Sequence, residues 1–284
     1  MSDVFLFPGQ GAEGPGMGGA ALSRPGPVRA LLERASRTLG RDLAEVVERG
    51  GPELARTELG QPALVAISLG LALESGLAPA AVAGHSVGEL AAFCAAGCLA
   101  PEEAIDCVVD RSRLMADAAR GASGGMAAIR VTSEAQAREA IAGEQGLEIA
   151  AHNGPEEWVL TGDRAALAAL AARLPIVLLP VTGPWHSRAM AGAAAQWRLA
   201  LGRVQWRRPR VPVVANATGR FITDGDDLAE LLASQLTQPV QWARTLQTLS
   251  AAGASRWHVF GPGRVLRGLC RANLGTAATV ELHE

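Results

Sequence analysis

The stretch "AVAGHSVGEL", Ala81 to Leu90, decides how this chain folds. A run of small apolar residues ends at Gly84, His85 and Ser86 follow, and past Gly88 comes a helix-forming run, "ELAAFCAAG". A buried strand that turns sharply into a helix has this form. Gly84-x-Ser86-x-Gly88 places a serine on that turn. Glycines flank it because the backbone there is strained and neighbouring side chains would collide. A helix beginning at the serine also offers unpaired N–H groups that can hold an oxyanion. The pentapeptide alone suits a structural turn equally well; the strand before it and the helix after it favour a nucleophile.

Outward from this turn, strands and helices alternate. "VFLF" (4–7), ended by Pro8 and Gly9, predicts a buried strand, and "AAVAG" (80–84) a second. Residues 25–50 carry helical spacing, "QPALVAISLGLALESG" (61–76) predicts an apolar helix with Pro62 in its first turn, and Pro101 opens a helix running to about Ala119. This is the pattern of an α/β core with a parallel sheet. Gly121, Gly124 and Gly125 then mark a break. Strand 126–131, helix 133–143, strands 147–152 and 157–162, helix 163–174 and strand 176–181 follow. That β-α-β-β-α-β order predicts an inserted ferredoxin-like unit over 123–188, with 1–122 and 189–284 forming the large domain. Strands at "VPVVAN" (211–216) and "RWHVFG" (256–261) and helices at 227–236 and 239–253 complete it.

Composition narrows the chemistry. The chain has 284 residues, 49% hydrophobic, with a net charge of -2, so bulk charge gives no reason to expect nucleic acid or an anionic membrane. It contains no lysine; all 26 basic residues are arginine. That removes a lysine Schiff base and a P-loop. Cys94, Cys98, Cys107 and Cys270 form no Cys-x-x-Cys pair, no histidine pair has metal spacing, and no metal or redox cofactor is expected. Gly9-x-Gly11-x-x-Gly14 mimics a dinucleotide fingerprint, but Pro15 and Gly16 stand where the receiving helix should run. With no long apolar run and no basic leader, a cytoplasmic chain is expected, and a monomer.

Two histidines could serve Ser86. The hydrolase order Ser–Asp–His is met by Ser86, then Asp224, Asp226 or Asp227, then His258, although His258 lies in an expected strand and suits a core or edge position. His186, in "VTGPWHSRAM", sits on a loop that could hold an imidazole over a cleft between domains.

One ordered set of motifs spans nearly the whole chain: "LFPGQG" (6–11), "QPAL" (61–64), "GHSVGE" (84–89), Arg111-x-x-x-Met115, "HNGP" (152–155), "WHS" (185–187), "QPVQW" (238–242) and "GPGRVL" (261–266). This set resembles the malonyl-CoA:acyl carrier protein transacylase family, which includes the acyltransferase units of polyketide synthases. The resemblance implies an α/β-hydrolase-like large domain with an inserted ferredoxin-like small subdomain. It implies ping-pong transfer of malonyl from CoA to the phosphopantetheine thiol of an acyl carrier protein, in fatty acid or polyketide synthesis. Ser86 would be the nucleophile and His186 its base, oriented by the Gln235 backbone carbonyl rather than by a carboxylate. The amides of Gln10 and Val87 would form the oxyanion hole, Arg111 would grip the malonyl carboxylate, and Met115, Asn153 and Gln61 would line the site.

Trp185 stands where malonyl enzymes of the family commonly carry phenylalanine and methylmalonyl enzymes serine. A bulky ring excludes an α-methyl branch and favours malonyl; equally, it could reshape the pocket for an unusual acyl unit. The arginines 198, 203, 207, 208 and 210 form either a solvated face or a patch for an acidic carrier protein. Two other activities remain open. An acyl hydrolase on the same scaffold would have no need of Arg111, and a non-catalytic carrier-binding protein would have no need of Ser86, His186 and Arg111 together.

Overall fold

Two apolar runs, one at the N-terminal end, pair in a parallel sheet and place the serine. The computed structural model describes residues 2–121, 123–276 and 278–284. In chain order its elements are β1 (Asp3–Phe7), α1 (Gly19–Leu22), α2 (Pro27–Leu39), α3 (Leu43–Arg49), α4 (Gly51–Leu54), α5 (Thr57–Glu74), β2 (Ala81–Gly84), α6 (Gly88–Ala95) and α7 (Pro101–Ala119). Next come β3 (Gly124–Arg130), α8 (Glu134–Ala140), β4 (Leu147–Gly154), β5 (Glu157–Asp163), α9 (Arg164–Ala171) and β6 (Ile176–Leu178). The chain closes with α10 (Ala191–Leu201), α11 (Leu228–Gln235), α12 (Trp242–Ala251), β7 (Arg256–Phe260), α13 (Arg264–Leu274) and β8 (Thr279–His283).

β2, β1, β7 and β8 form a parallel sheet in that order. Phe7 is in register with Gly84, so the loops after β1 and β2 leave the same carboxyl edge of the sheet side by side. That edge is where open parallel sheets build their sites. Helices cover the strands, and Phe7, Phe93, Trp197, Trp242 and Trp257 are fully or almost fully buried in one continuous core.

The second sheet, β4-β5-β3-β6, is antiparallel throughout, and with α8 and α9 it is a ferredoxin-like unit. Its strands show the period of two that a two-faced sheet requires. On β3, Ala127 and Ile129 join a small core of their own with Leu160, Leu167 and Leu170, whereas Met126 turns to the main core. The molecule is thus an α/β protein with a large parallel-sheet domain and a small antiparallel subdomain. The expected junction between 122 and 123 touches Ala122, which lies outside the described residues.

Several sequence expectations need correction. The helix expected from residue 61 begins at Thr57, which puts Pro62 inside it. Burial on almost every side of α5 outweighs the local penalty of a proline without an N–H. "VPVVAN" forms no full strand; it makes an isolated parallel bridge, Val82 to Val213, along the free edge of β2. Pro212 has no N–H for a ladder, yet its carbonyl accepts from Val82 N at 2.9 Å, so the segment still covers that edge. β6 stops at Leu178, Leu179 N still donates to Met126 O at 2.9 Å, and Leu179 to Val181 line a cavity. β8, unread in the sequence, adds a parallel edge strand beside β7.

Candidate active site

The turn from β2 to α6 is as tight as its glycines suggest. A Cβ at Gly84 would stand 2.0 Å from Gly88 O, and one at Gly88 would stand 2.4 Å from Phe7 O. No side chain fits at either position without moving backbone. The turn holds Ser86 at φ +50°, and the loop after β6 holds His186 at φ +57°. Among the described residues these are the only two outside glycine with positive φ. A left-handed conformation costs a side-chain-bearing residue about 1–2 kcal/mol, and here both strained residues belong to one contact.

Ser86 Oγ lies 2.8 Å from His186 Nε2, and His186 Nδ1 lies 2.9 Å from the backbone carbonyl of Gln235. A carbonyl can only accept, so Nδ1 carries the proton and Nε2 presents its lone pair to the serine hydroxyl. Gln235 is the last residue of α11, where carbonyls lack helical partners and the dipole is negative. The imidazole gives this carbonyl a second donor beside Gln238 N, which is 3.4 Å away, and the carbonyl would stabilise an imidazolium. Burial first, and the Arg111 guanidinium second, push the His186 pKa down to about 3. The imidazole is neutral at physiological pH.

Arg111 projects from the middle of α7 and is completely buried. It donates from Nη1 to Gln61 Oε1 at 2.6 Å and from Nη2 to Gln235 Oε1 at 2.8 Å, with Nη2 also 3.5 Å from Ser86 Oγ. Its Cζ sits 5.6 Å from the Trp197 ring centroid, a cation–π distance. Burial lowers its pKa to about 9, against the pull of Glu89, so it keeps its charge at neutral pH.

Glu89 is the residue that sequence reasoning missed. It is buried in the first turn of α6, accepts from Asn216 N at 2.7 Å, and also accepts from Gln235 Nε2. Burial pushes its pKa up to about 7, although the Asn216 amide, Gln235 and Arg111 all favour its anion. Asn216 in turn accepts the Ser86 N–H at 2.7 Å, and Gln235 Nε2 donates to Ser86 O at 2.9 Å. Glu89 thus braces the backbone on both sides of the serine through two amides. The available signal was a lone carboxylate in the otherwise apolar run "ELAAFCAAG".

A cavity of 270 Å³ opens onto Ser86 and His186 between the two sheets. Gln10, Gln61, Met115, Asn153 and Trp185 all line it. The loop carrying Gln10 packs on the serine turn, with His85 N donating to Phe7 O at 2.9 Å. Among the described residues, neither the backbone N–H of Gln10 nor that of Val87 donates to another protein group, while the Gln10 side-chain amide donates to Thr57 Oγ1 at 3.1 Å. Gln61 bridges Gln10 Oε1 at 2.9 Å and Arg111, and its amide also contacts Met115 Sδ at 3.8 Å. Asn153 is committed elsewhere: its Oδ1 pairs with His85 Nε2 at 2.9 Å and its Nδ2 with Glu157 at 3.1 Å. The Trp185 ring is 4% exposed and lies over Gly183, where a Cβ would meet it at 2.2 Å.

Other sequence candidates lie away from this cluster. His258 bonds Asp3 and His283, not Ser86. Asp224 pairs with Arg208, Asp226 with Arg220, and Asp227 caps α11. The hydrolase order of residues is therefore not assembled in space. Among the five clustered arginines, Arg198 pairs with Asp227 and Glu230, and Arg208 with Asp224. Arg207 N and Arg210 N bond Cys98 O and Ala96 O at the carboxyl end of α6, opposite the end that carries Ser86. That placement favours a solvated face over a carrier-protein patch. The four cysteines are buried, and burial pushes each thiol up to about 12. No helix of the described residues is long and apolar enough to cross a membrane.

Comparison with known proteins identifies the family. Residues 4–260 match the acyl transferase domain family. The chain is 35% identical over 296 residues to the malonyl CoA-acyl carrier protein transacylase of Escherichia coli K12, covering 99% of this chain and 96% of that protein. Its fold matches the crystal structure of the malonyl-CoA:ACP transacylase of Synechocystis sp. PCC 6803 with a TM-score of 0.90, at 32% identity over 99% of this chain and 97% of that one. It also matches a malonyl-transacylase solved in complex with a type II polyketide synthase acyl-carrier protein, at TM-score 0.89 and 29% identity, covering 99% and 95% of the two chains. The chain is an acyltransferase and belongs to the malonyl-CoA:acyl carrier protein transacylase family.

Proposed function

We propose that the protein moves a malonyl group from coenzyme A to the phosphopantetheine thiol of an acyl carrier protein by a ping-pong route through Ser86. The observation that carries this reading is the convergence on one oxygen: His186 Nε2 at 2.8 Å and Arg111 Nη2 at 3.5 Å from Ser86 Oγ. A nucleophile, its base and a buried cation within reach of a substrate carboxylate suit an acyl group that carries an acid.

In the first half-reaction Ser86 Oγ attacks the thioester carbonyl while its proton passes to His186 Nε2. The oxyanion is received by the Val87 and Gln10 amides. The carbon–sulfur bond then breaks, and the coenzyme A thiol leaves with the proton from His186. In the second half-reaction the carrier thiol gives its proton to the same nitrogen and attacks the serine ester. Collapse of that intermediate returns the proton to Ser86 Oγ. Gln61, which lines the cavity, and Gln235 hold the buried Arg111 fork beside Ser86, and Met115 and Trp185 bound the acyl pocket. These protein groups account for every proton moved, so no cofactor is invoked.

The test is intact-protein mass after brief incubation with malonyl-CoA, then with carrier protein. A malonyl adduct that transfers to the carrier is the expected result. Steady release of coenzyme A with no adduct and no carrier acylation would instead mark a hydrolase.

A second expected result concerns pH. The acid limb of kcat/KM reports the free enzyme. Because burial and Arg111 hold His186 far below the ordinary imidazole value of about 6.5, it should remain a base as pH falls through 6. A rate profile of self-acylation should show no histidine inflection near 6.5. An inflection there that is unmoved in Glu89→Gln would show that His186 titrates normally.

A further inference from the structure

His258, Glu281 and His283 converge on the outer edge of the parallel sheet. His258 is on β7, Glu281 is its register partner on β8, and His283 lies two residues further along the same face of β8. One ligand atom from each lies within 4.8 Å of the other two. His258 Nδ1 stands 3.0 Å from His283 Nε2 and 3.5 Å from Glu281 Oε2. None of the three residues lines the catalytic cavity.

We propose that this cluster is a binding site for one borderline divalent cation of the zinc type. Two nitrogens held about 2.0–2.1 Å from a tetrahedral zinc are about 3.3 Å apart. The two distances from His258 Nδ1, 3.0 Å to His283 and 3.5 Å to Glu281, bracket that value, so little movement is needed to admit an ion. Two imidazoles and one carboxylate are a donor set that such ions favour over calcium or magnesium.

The tautomer is set for the purpose. Asp3 Oδ1 lies 2.9 Å from His258 Nε2, on the far side of the ring from the cluster. The Asp3 carboxylate is itself held by Arg256, with Arg256 Nη2 donating to Oδ2 at 2.8 Å. It therefore accepts a hydrogen bond from the Nε2–H and leaves the Nδ1 lone pair aimed at His283 and Glu281. A carboxylate behind a histidine is the common outer support of a metal-binding imidazole. The rings are also fixed by packing: Phe260 stacks on His283 with centroids 4.4 Å apart, and Phe5 meets His258 edge-on at 5.9 Å. His258 is 4% exposed while Glu281 faces solvent, which gives the ion an entry path and leaves a position for water.

The consequence is structural. β8 is an edge strand close to the end of the chain, joined to the sheet through β7 alone. An ion bridging β7 and β8 would fasten that edge. Local sequence spacing could not show the site, because its ligands come from two strands separated by α13.

The experiment titrates zinc into the metal-free full chain by calorimetry, with cobalt as a spectroscopic probe and the thermal midpoint followed in parallel. The wild type and Ser86→Ala should each bind one equivalent, give tetrahedral cobalt bands, and melt higher with zinc, since a ligand that binds only the folded state raises stability. His283→Ala and Glu281→Gln should each weaken binding at least about tenfold while keeping wild-type transferase turnover, which shows that they remain folded. Asp3→Asn should weaken it about 10–100-fold, as loss of an outer support does. No stoichiometric binding by the wild type would overturn the proposal. So would zinc affinity unchanged in both His283→Ala and Glu281→Gln, or binding that disappears in Ser86→Ala, which would place the ion at the catalytic pair.

Discussion

Ser86→Ala is expected to form no malonyl adduct and to lower transfer to a carrier protein by a factor on the order of 10⁶, the loss typical when the nucleophile of a cooperating serine–histidine unit is removed. The size follows from the absence of a substitute. The four thiols are buried and held at about 12, and no lysine exists to replace the hydroxyl. His186→Ala should cost about as much, and the double variant no more than either single one, because each residue is useless without the other. The alanine protein should still fold. Among the described residues Ser86 Oγ bonds only His186 Nε2 and Arg111 Nη2, while the bonds that fix the turn run through the Ser86 backbone to Asn216 and Gln235. Ser86→Gly goes further: it removes the side-chain penalty of φ +50° and should melt higher than the wild type, by about 1 kcal/mol at most, while remaining inactive. That pairing of higher stability with lost activity would mark the strained turn as held for chemistry. Covalent labelling of Ser86→Ala by malonyl-CoA, seen by intact mass, would refute the assignment.

How much of this was legible in the sequence depended on where each contact is made. The turn at Gly84–Gly88 could be read because a glycine-bounded serine between an apolar strand and an apolar helix is a local signal. The β-α-β-β-α-β order was readable because each element carries its own period. Pro62 misled because a proline usually marks a helix start; burial all round α5 overrode that local rule. The strand at 279–283 was missed although "TVELH" alternates polar and apolar residues, since so short an alternation at a sheet edge carries little weight alone. The brace formed by Glu89, Asn216 and Gln235 joins residues 127 and 146 positions apart. Nothing local predicts such a contact. The resemblance supplied the Gln235 carbonyl but not the second task of the same residue, whose side chain ties Arg111 to Ser86 O.

Arg111→Ala should reduce the preference for malonyl over acetyl donors by about 10²–10³-fold, the range expected when one member of a buried, hydrogen-bonded charge pair is truncated. Both terminal nitrogens are held by neutral acceptors, Gln61 Oε1 and Gln235 Oε1, that a carboxylate can outcompete, and Gln61 itself lines the cavity. A carboxylate bound there would do more than identify the donor. Arg111 is the second cause, after burial, that depresses His186. Neutralising the guanidinium with the malonyl anion would raise the basicity of His186 at the moment Ser86 must be deprotonated. An acetyl donor leaves that repulsion in place. The selection is therefore expected in kcat as well as in KM, and Arg111→Lys should recover part of the binding but little of the discrimination, since an ammonium cannot offer two parallel bonds. Removing the guanidinium also leaves Glu89 without its nearby cation, so acylation by both donors and the thermal midpoint must be measured on each variant. If malonyl and acetyl rates fall together and their ratio is unchanged, Arg111 only supports the fold of the site; if the ratio collapses while acetyl transfer persists, Arg111 reads the donor.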